Sequence, residues 1–393
     1  MLILPTLSLA VTITQMGIPN AVFKLTADKN YNNKKVLISG ISLSLINSFI
    51  VMILLFLFTP IIANNLLNNS AVISSIYCIA LFVPLASINN ILRNYFLGKE
   101  KVITPGFSQV VEEITRILVM IVIFANLNDQ LSLEKKVAFS YISMCFGEIA
   151  STIFMSITNN FRSKLEGIKE EKLKNLLLYK DILTISIPVT GGQLLNSLSN
   201  FLQPVILTKV MTSLHYSNSY IQEQYGIING YVISMLMIPS FINNVIYRII
   251  LPRFTKLITG KEMNKIKKEF VSSLLICLLS GVPFSIIFFL FPESVLTIFF
   301  STTKGANILK YCAIPFLITY LQTPISAALH SLEKNKTMFI ITVIQNIITI
   351  SILYLLIPSY KAIALVISFL VGIIFTTFVS GIICFKCLFL QDK

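Results

Sequence analysis

The run LFLFTP at 55–60 returns as FFLFP at 288–292, which sets Pro60 and Pro292 232 residues apart. Cys78 and Pro84 in CIALFVP recur as Cys312 and Pro315 in CAIP, at 234 and 231. The loop Leu97-Gly98-Lys99-Glu100-Lys101 returns as Leu332-Glu333-Lys334-Asn335-Lys336 at 235, and Phe23-Lys24-Leu25 aligns loosely with Thr255-Lys256-Leu257 at 232. One shared proline is chance, whereas several landmarks near one spacing indicate an internal duplication.

What is duplicated is set by composition. Of 393 residues 55% are hydrophobic and 12% charged, about half the charge share of an ordinary soluble domain. Apolar runs lie at 1–26, 36–62, 71–92, 103–126, 137–158, 182–212, 225–251, 270–300, 307–330, 337–358 and 361–385. Crossing a hydrocarbon layer of about 30 Å takes roughly 20 helical residues, against about 9–11 for a barrel strand, so runs of this length predict an all-α polytopic membrane protein with eleven transmembrane helices. Trp is absent, which leaves Tyr and Phe for the membrane interfaces.

The net charge of +14 would suit nucleic acid, but its distribution excludes that reading. Twenty-four of the 31 basic residues lie in alternate loops, six in the other loops, and Arg116 lies within a span. The positive-inside rule puts the richer set, and with it the C-terminus, in the cytoplasm of a multi-pass cell-membrane protein. The same count puts the N-terminus outside, although Met1-Leu2-Ile3-Leu4 has no basic leader. The span at 182–212 has no counterpart, because its partner would fall before residue 1. The expectation is a chain truncated or mis-started at its first helix, from a pair of six-helix repeats related by an axis along the membrane normal. Residues 1–160 would then form an N-terminal lobe of five helices and 182–393 a C-terminal lobe of six. The charged stretch 161–181, FRSKLEGIKEEKLKNLLLYKD, would link them along the inner membrane surface.

The segments GIPNAVFKLTA (17–27), QVVEEITRILV (109–119), YGIINGYVISMLMIP (225–239) and GVPFSIIFFLFPESVLTIFF (281–300) resemble one family. It is the stage V sporulation protein B and polysaccharide-biosynthesis (flippase) branch of the multidrug/oligosaccharidyl-lipid/polysaccharide exporter superfamily. The resemblance covers nearly the whole chain and is weak for substrate. It implies two helical lobes around a central cavity, and transport of a lipid-linked oligosaccharide or cell-wall polysaccharide precursor by alternating access. It implies membrane lipids and a polyprenyl-phosphate-linked sugar as partners. Against the family pattern of twelve or fourteen helices, the chain starts near the second and stops after the twelfth.

Ionisable groups within spans are the first candidates for mechanism, since each costs about 2.5–3.5 kcal/mol at a helix centre unless it faces a cavity or a partner. Glu112, Glu113 and Arg116 fall well inside a helix that starts near Ile103, with Gln109 one turn earlier. Glu112 and Arg116 have the four-residue spacing and order of a same-face ion pair. Two readings stand: a salt bridge that pins this helix to its neighbours, or a phosphate-binding cation beside an acid that titrates with transport. Glu148 has no basic partner on its own helix; it is either protonated or paired with Arg116, and a proton or sodium site is a further reading. Gln193, Asn196, Ser197, Asn200 and Gln203 form a polar stripe along one helix face, which suits helix-to-helix hydrogen bonds or a sugar-facing wall. Asn229, Asn243, Asn244, Gln345 and Asn346 extend it. Lys24, Arg93, Arg248 and Arg253 sit at inner span ends, where most such residues snorkel to the interface; Arg248 and Arg253 are the better candidates for a pyrophosphate. Gly17-Ile18-Pro19, Gly281-Val282-Pro283 and Pro188 are candidate hinges or static kinks.

No enzyme signature is present: HExxH, a Walker loop and GxSxG are absent, and His215 and His330 are isolated. Cys384-x-x-Cys387 lacks the second ligand pair of a zinc site, so no metal and no cofactor are expected. Besides a flippase, the sequence admits a proton- or sodium-coupled drug antiporter and a nonfunctional truncated family member.

Overall fold

A computed structural model describes residues 3–28, 30–126, 132–158, 172–260 and 262–390. The apolar runs are helical apart from short breaks, and there is no strand among the described residues. This is the arrangement a bilayer imposes, because no water is available there to satisfy open backbone groups. The first half contains α1 (Leu4–Gln15), α2 (Ile18–Ala27), α3 (Asn33–Ile61), α4 (Ile73–Gly98), α5 (Ile103–Asn126) and α6 (Leu133–Thr158), followed by α7 (Lys172–Ser213). The second half contains α8 (Asn218–Tyr225), α9 (Ser234–Met237), α10 (Ser240–Thr259), α11 (Met263–Leu290), α12 (Pro292–Phe300), α13 (Ala306–Ala313), α14 (Ile318–Ser331), α15 (Asn335–Tyr360) and α16 (Ala364–Phe385).

Among the described residues, five helical segments are by themselves long and apolar enough to cross a membrane, or up to seven if two bent pairs each count as one span. Several of the eleven apolar runs fall outside that count for local reasons. A break at Met16–Gly17 leaves α1 and α2 short, α5 carries Glu112, Glu113 and Arg116, and α15 and α16 run on as one apolar segment, Asn335–Phe389.

The chain divides into two compact units after Phe201, within α7. The sequence placed the division at 161–181, of which 161–171 lie outside the described residues. The shift has a packing reason: Leu178 and Ile182 of α7 join the apolar core of the first unit with Ile18, Val22, Leu37 and Met155. Polar contacts extend that seam. The Thr12 and Ser197 hydroxyls are 2.7 Å apart, and the Tyr31 hydroxyl donates to Asp181 at 3.1 Å. Beyond the division, Leu207 and Met211 of α7 belong to the core of the second unit with Met235, Leu296, Phe316 and Leu353.

The duplication shows in each unit taken by itself. In the first, α4 packs on α2, α3 and α6, and α5 on α6; in the second, α14 packs on α10, α11 and α16, and α15 on α16. Both central helices end in the same left-handed cap. Glu100 has φ 59° and Glu333 φ 56°. In each cap the amide of the glutamate bonds back three residues, to Leu97 or His330, and the next amide bonds back five, to Phe96 or Leu329. The caps are 233 residues apart, two fewer than the loop alignment gave. The following helix crossings match as well. A Cβ on Gly147 of α6 would stand 2.9 Å from the Glu112 carbonyl and 3.5 Å from Arg116 Cβ, and one on Gly372 of α16 would meet Thr349 and Gln345. Glu112 and Arg116 thus correspond to Gln345 and Thr349, again 233 apart.

The prolines that revealed the repeat have diverged in structure. Pro60 and Pro84 lie inside continuous helices, whereas Pro292 begins α12 after a break and Pro315 marks a 52° bend between α13 and α14. Of the candidate hinges, Met16 and Gly17 have left-handed backbone (φ 41° and 64°) and separate α1 from α2. By contrast α7 passes through Pro188, and α11 through Pro283, without ending.

Candidate functional site in the first unit

Three neighbouring helices each contribute two polar side chains about one turn apart, the spacing that puts both on one face: Asn89 and Arg93 from α4, Ser108 and Glu112 from α5, Glu148 and Ser151 from α6. Asn89, Ser108 and Ser151 are fully buried and Glu148 is 7% exposed. Arg93 forms an ion pair with Glu112, and the two side chains are 15% and 17% exposed. The guanidinium also donates to Ser151 Oγ at 3.3 Å and to Ser108 Oγ at 3.4 Å. Asn89 Nδ2 donates to Glu148 and, at 3.4 Å, to Glu112, while its Oδ1 accepts from Ser151 at 3.2 Å. Two carboxylates therefore meet at one amide, and one of them, Glu112, also holds the guanidinium.

The close approach of α5 and α6 depends on Gly147, beside Glu148, which has no side chain to hold the helices apart. The same crossing in the second unit carries no charge. Gln345 and Thr349 stand for Glu112 and Arg116, and Ile373, the residue after Gly372, stands for Glu148. The ionic groups are therefore not a requirement of this helix packing.

Several expectations are corrected by this geometry. Arg116 pairs with Glu113, three residues away on the more exposed face of α5, and not with Glu112. Glu148 takes its hydrogen bond from Asn89, not Arg116. Arg93 is no interfacial anchor, because its head group is drawn into the protein by Glu112. Gln109 lies on the exposed face of α5. In α7, Gln193, Asn196 and Asn200 are exposed in the first unit, and Gln203, half-buried, belongs to the second. Arg253 is exposed on α10; the side chains of Arg248 and Asn244 lie outside the described residues. Asn89 was missed, although an Asn four residues before an Arg inside an apolar span signals a polar face. His330 is not isolated: it lines a polar cleft with Tyr247. Among the described residues no three His, Cys, Asp or Glu side chains form a group able to hold a metal, and Cys384 and Cys387 are buried thiols.

Residues 1–258 match the family described as polysaccharide biosynthesis protein. Stage V sporulation protein B of Bacillus subtilis (strain 168) is 24% identical over 403 residues, covering 100% of this chain and 78% of that protein. Lipid II flippase MurJ of the same organism is 24% identical over 371 residues, covering 87% of this chain and 67% of its own length. Among solved structures, an inward-facing multidrug resistance MATE family transporter of the MOP superfamily aligns with TM-score 0.73 at 12% identity, over 98% of this chain and 89% of that one. The MATE multidrug transporter DinF-BH aligns with TM-score 0.70 at 14% identity, over 97% and 84%. The solved structures agree with an all-α polytopic membrane fold, and the match over residues 1–258 decides the family. The chain belongs to the polysaccharide biosynthesis protein family, in the flippase branch of its exporter superfamily.

Proposed function

We propose that this protein is a flippase of the cytoplasmic membrane, with its C-terminus in the cytoplasm, that moves a lipid-linked oligosaccharide or cell-wall polysaccharide precursor outward by alternating access. The observation that carries the reading is the buried Arg93–Glu112–Asn89–Glu148 network, present in one repeat and replaced by neutral residues at the matching helix crossing of the other. A fold that needs no charges there, yet holds three in a membrane-spanning bundle, keeps them for something other than packing. The relatives named for stage V sporulation and for lipid II flipping support the substrate class.

In this mechanism Arg93 is the cation that a polyprenyl phosphate recruits. The phosphate competes with Glu112 for the guanidinium, and fork-shaped donors suit phosphate oxygens. Release of Glu112 leaves two carboxylates, Glu112 and Glu148, joined through Asn89. A proton or a monovalent cation entering there balances the freed carboxylate while the lipid holds Arg93, and its departure after the lipid leaves lets Arg93 return to Glu112. Gln109, Glu113 and Arg116 form a second polar approach on the more exposed side of α5. Gln193, Asn196, Asn200, Gln203, Arg248 and Arg253 remain candidates for the wall of the transport path.

The reading is tested in proteoliposomes with a labelled polyprenyl-pyrophosphate sugar. Wild type moves the label to the opposite leaflet, and Arg93→Gln does not. Robust proton- or sodium-coupled efflux of a cationic dye, with no movement of the lipid-linked sugar, would replace the flippase by an antiporter that uses Glu112 and Glu148 as its coupling carboxylates.

A further inference from the structure

Within the second unit, α10 and α14 enclose a cleft of about 370 Å³ in which every described lining residue is polar. Ser240, Asn243 and Tyr247 come from α10 at one-turn spacing. From α14 come Gln322, Ser326 and His330, each four residues from the next, with Thr319 and Thr323 beside them. Polar side chains at such spacing ordinarily bond to the facing helix. Here they border open space, and behind that lining Asn243, 5% exposed, leaves Oδ1 unbonded and Thr319 leaves its hydroxyl unbonded, both atoms being closed off from solvent. A buried polar atom without a partner costs about 1–3 kcal/mol, so this part of α10 and α14 is not packed for stability alone, and the half-buried Gln322, Thr323 and Ser326 are what the cleft offers to donors and acceptors from outside.

The chemistry of those donors and acceptors follows from the lining. No described lining residue is a carboxylate, ammonium or guanidinium, and His330 is engaged through Nδ1 with Asn335 Oδ1 at 2.6 Å. A phosphate or an ammonium group would lose its hydration with no counter-charge in return. Hydroxyls and amides, which both donate and accept, fit an uncharged polyhydroxylated ring, and the Tyr247 ring, perpendicular to that of His330 at 6.5 Å, adds an aromatic group to the lining. The volume is at the small end of ligand pockets, about 300–1,000 Å³, which suits a sugar and not its lipid. The contrast with the first unit is direct. In the register of the two caps, Gln322 and Ser326 occupy the positions of Asn89 and Arg93, so where the first repeat has an ionic network the described residues of the second line a neutral cleft.

We propose that the α10–α14 cleft is the subsite that recognises an uncharged sugar ring of the translocated lipid-linked saccharide. The proposal rests on the flippase reading above. Because the chain has no tryptophan, Phe241→Trp, at an exposed α10 position outside the lining, supplies a single fluorescent reporter beside the cleft. The protein in nanodiscs is titrated with a polyprenyl pyrophosphate bearing a neutral disaccharide and with the same lipid lacking the sugar. The disaccharide lipid is expected to bind about tenfold more tightly, the worth of one or two hydrogen bonds. Gln322→Leu and the near-isosteric Thr323→Val should each erase that preference while binding the sugar-free lipid as before. Asn243→Leu separates recognition from structure: a subsite residue loses sugar preference and leaves the melting temperature unchanged or higher, whereas a structural amide lowers it. Equal affinity for the two lipids, or preference retained in the variants, overturns the subsite. Translocation of lipid-linked sugar by wild type in that case leaves the flippase standing, and its absence removes both.

Discussion

Glu112 and Gln345 occupy one place in two repeats, each beneath the glycine, Gly147 or Gly372, where two successive helices of its repeat cross, α5 on α6 and α15 on α16. The joint is common to both, and only one of them carries charge there.

Breaking one side of the ionic pair should therefore be costly, and neutralising both sides should not. Removing one partner of a buried ion pair typically costs about 3–5 kcal/mol, whereas replacing both is often close to neutral. Arg93→Gln and Glu112→Gln are each expected to lower the melting temperature of the detergent-solubilised protein. The double variant should regain most of that loss while translocating no lipid-linked sugar. A double variant as unstable as the worse single one would show that the charges hold the unit together.

At the crossing itself, Gly147→Ala places a methyl group 2.9 Å from the Glu112 carbonyl. Overpacking of this kind typically costs about 1–3 kcal/mol. Thermal unfolding of Gly147→Ala should show that loss, whereas Gly106→Ala, where no atom lies within 4 Å of an added Cβ, should be neutral or slightly stabilising.

Gly17→Ala should be more damaging than its small size suggests. Its φ is 64°, and an added Cβ would come 2.6 Å from the Ser186 carbonyl on α7. Strained backbone and a clash with the neighbouring helix act together. Limited proteolysis near the start of α7 should be faster in this variant, and unchanged cleavage would show that the α1–α2 break does not seat α7.

The Tyr31–Asp181 bond gives a pH dependence of known sign. The hydroxyl pKa is raised above 10.0, first by the hydrogen bond to Asp181 and then by desolvation. A group whose folded pKa is raised contributes stability that is fully present below its unfolded pKa and is lost as pH rises through the folded value. Wild type should therefore lose stability on titration above pH 10.0, and Tyr31→Phe should be less stable at neutral pH with a shallower alkaline decline. Parallel curves for the two proteins would assign the alkaline loss elsewhere.

In the second unit, Lys304 pairs with Glu223, both well exposed. Exposed pairs contribute little, so Lys304→Met should leave the melting temperature within error of wild type.

Much of this was legible in the residues. Apolar runs of helical length marked the helices, and paired landmarks revealed the repeat because a duplicated bundle preserves spacing. Glu112, Glu113, Arg116 and Glu148 stood out because charge inside an apolar run is expensive. Their partners did not, since spacing along α5 offers both Glu112 and Glu113 to Arg116, and only the packing of α4 against α5 assigns Glu112 to Arg93. The cleft was hidden for a similar reason. Thr319, Gln322, Ser326 and His330 are dispersed among apolar neighbours, and only their meeting with α10 makes them a surface. The division after Phe201 was obscured because a loop charge pattern reports which side of the membrane a segment faces, not which core it enters.

The left-handed glutamates at 100 and 333 also bear on how the molecule changes shape. A side-chain-bearing residue in that conformation is strained, and it is held by two amides folded back onto the preceding helix. Such a connector is a bracket and not a flexible tether. Each central helix and the helix after it should turn as one piece, so that the alternating access proposed above would be taken up at the few places where helices break, such as Gly17 and Pro315.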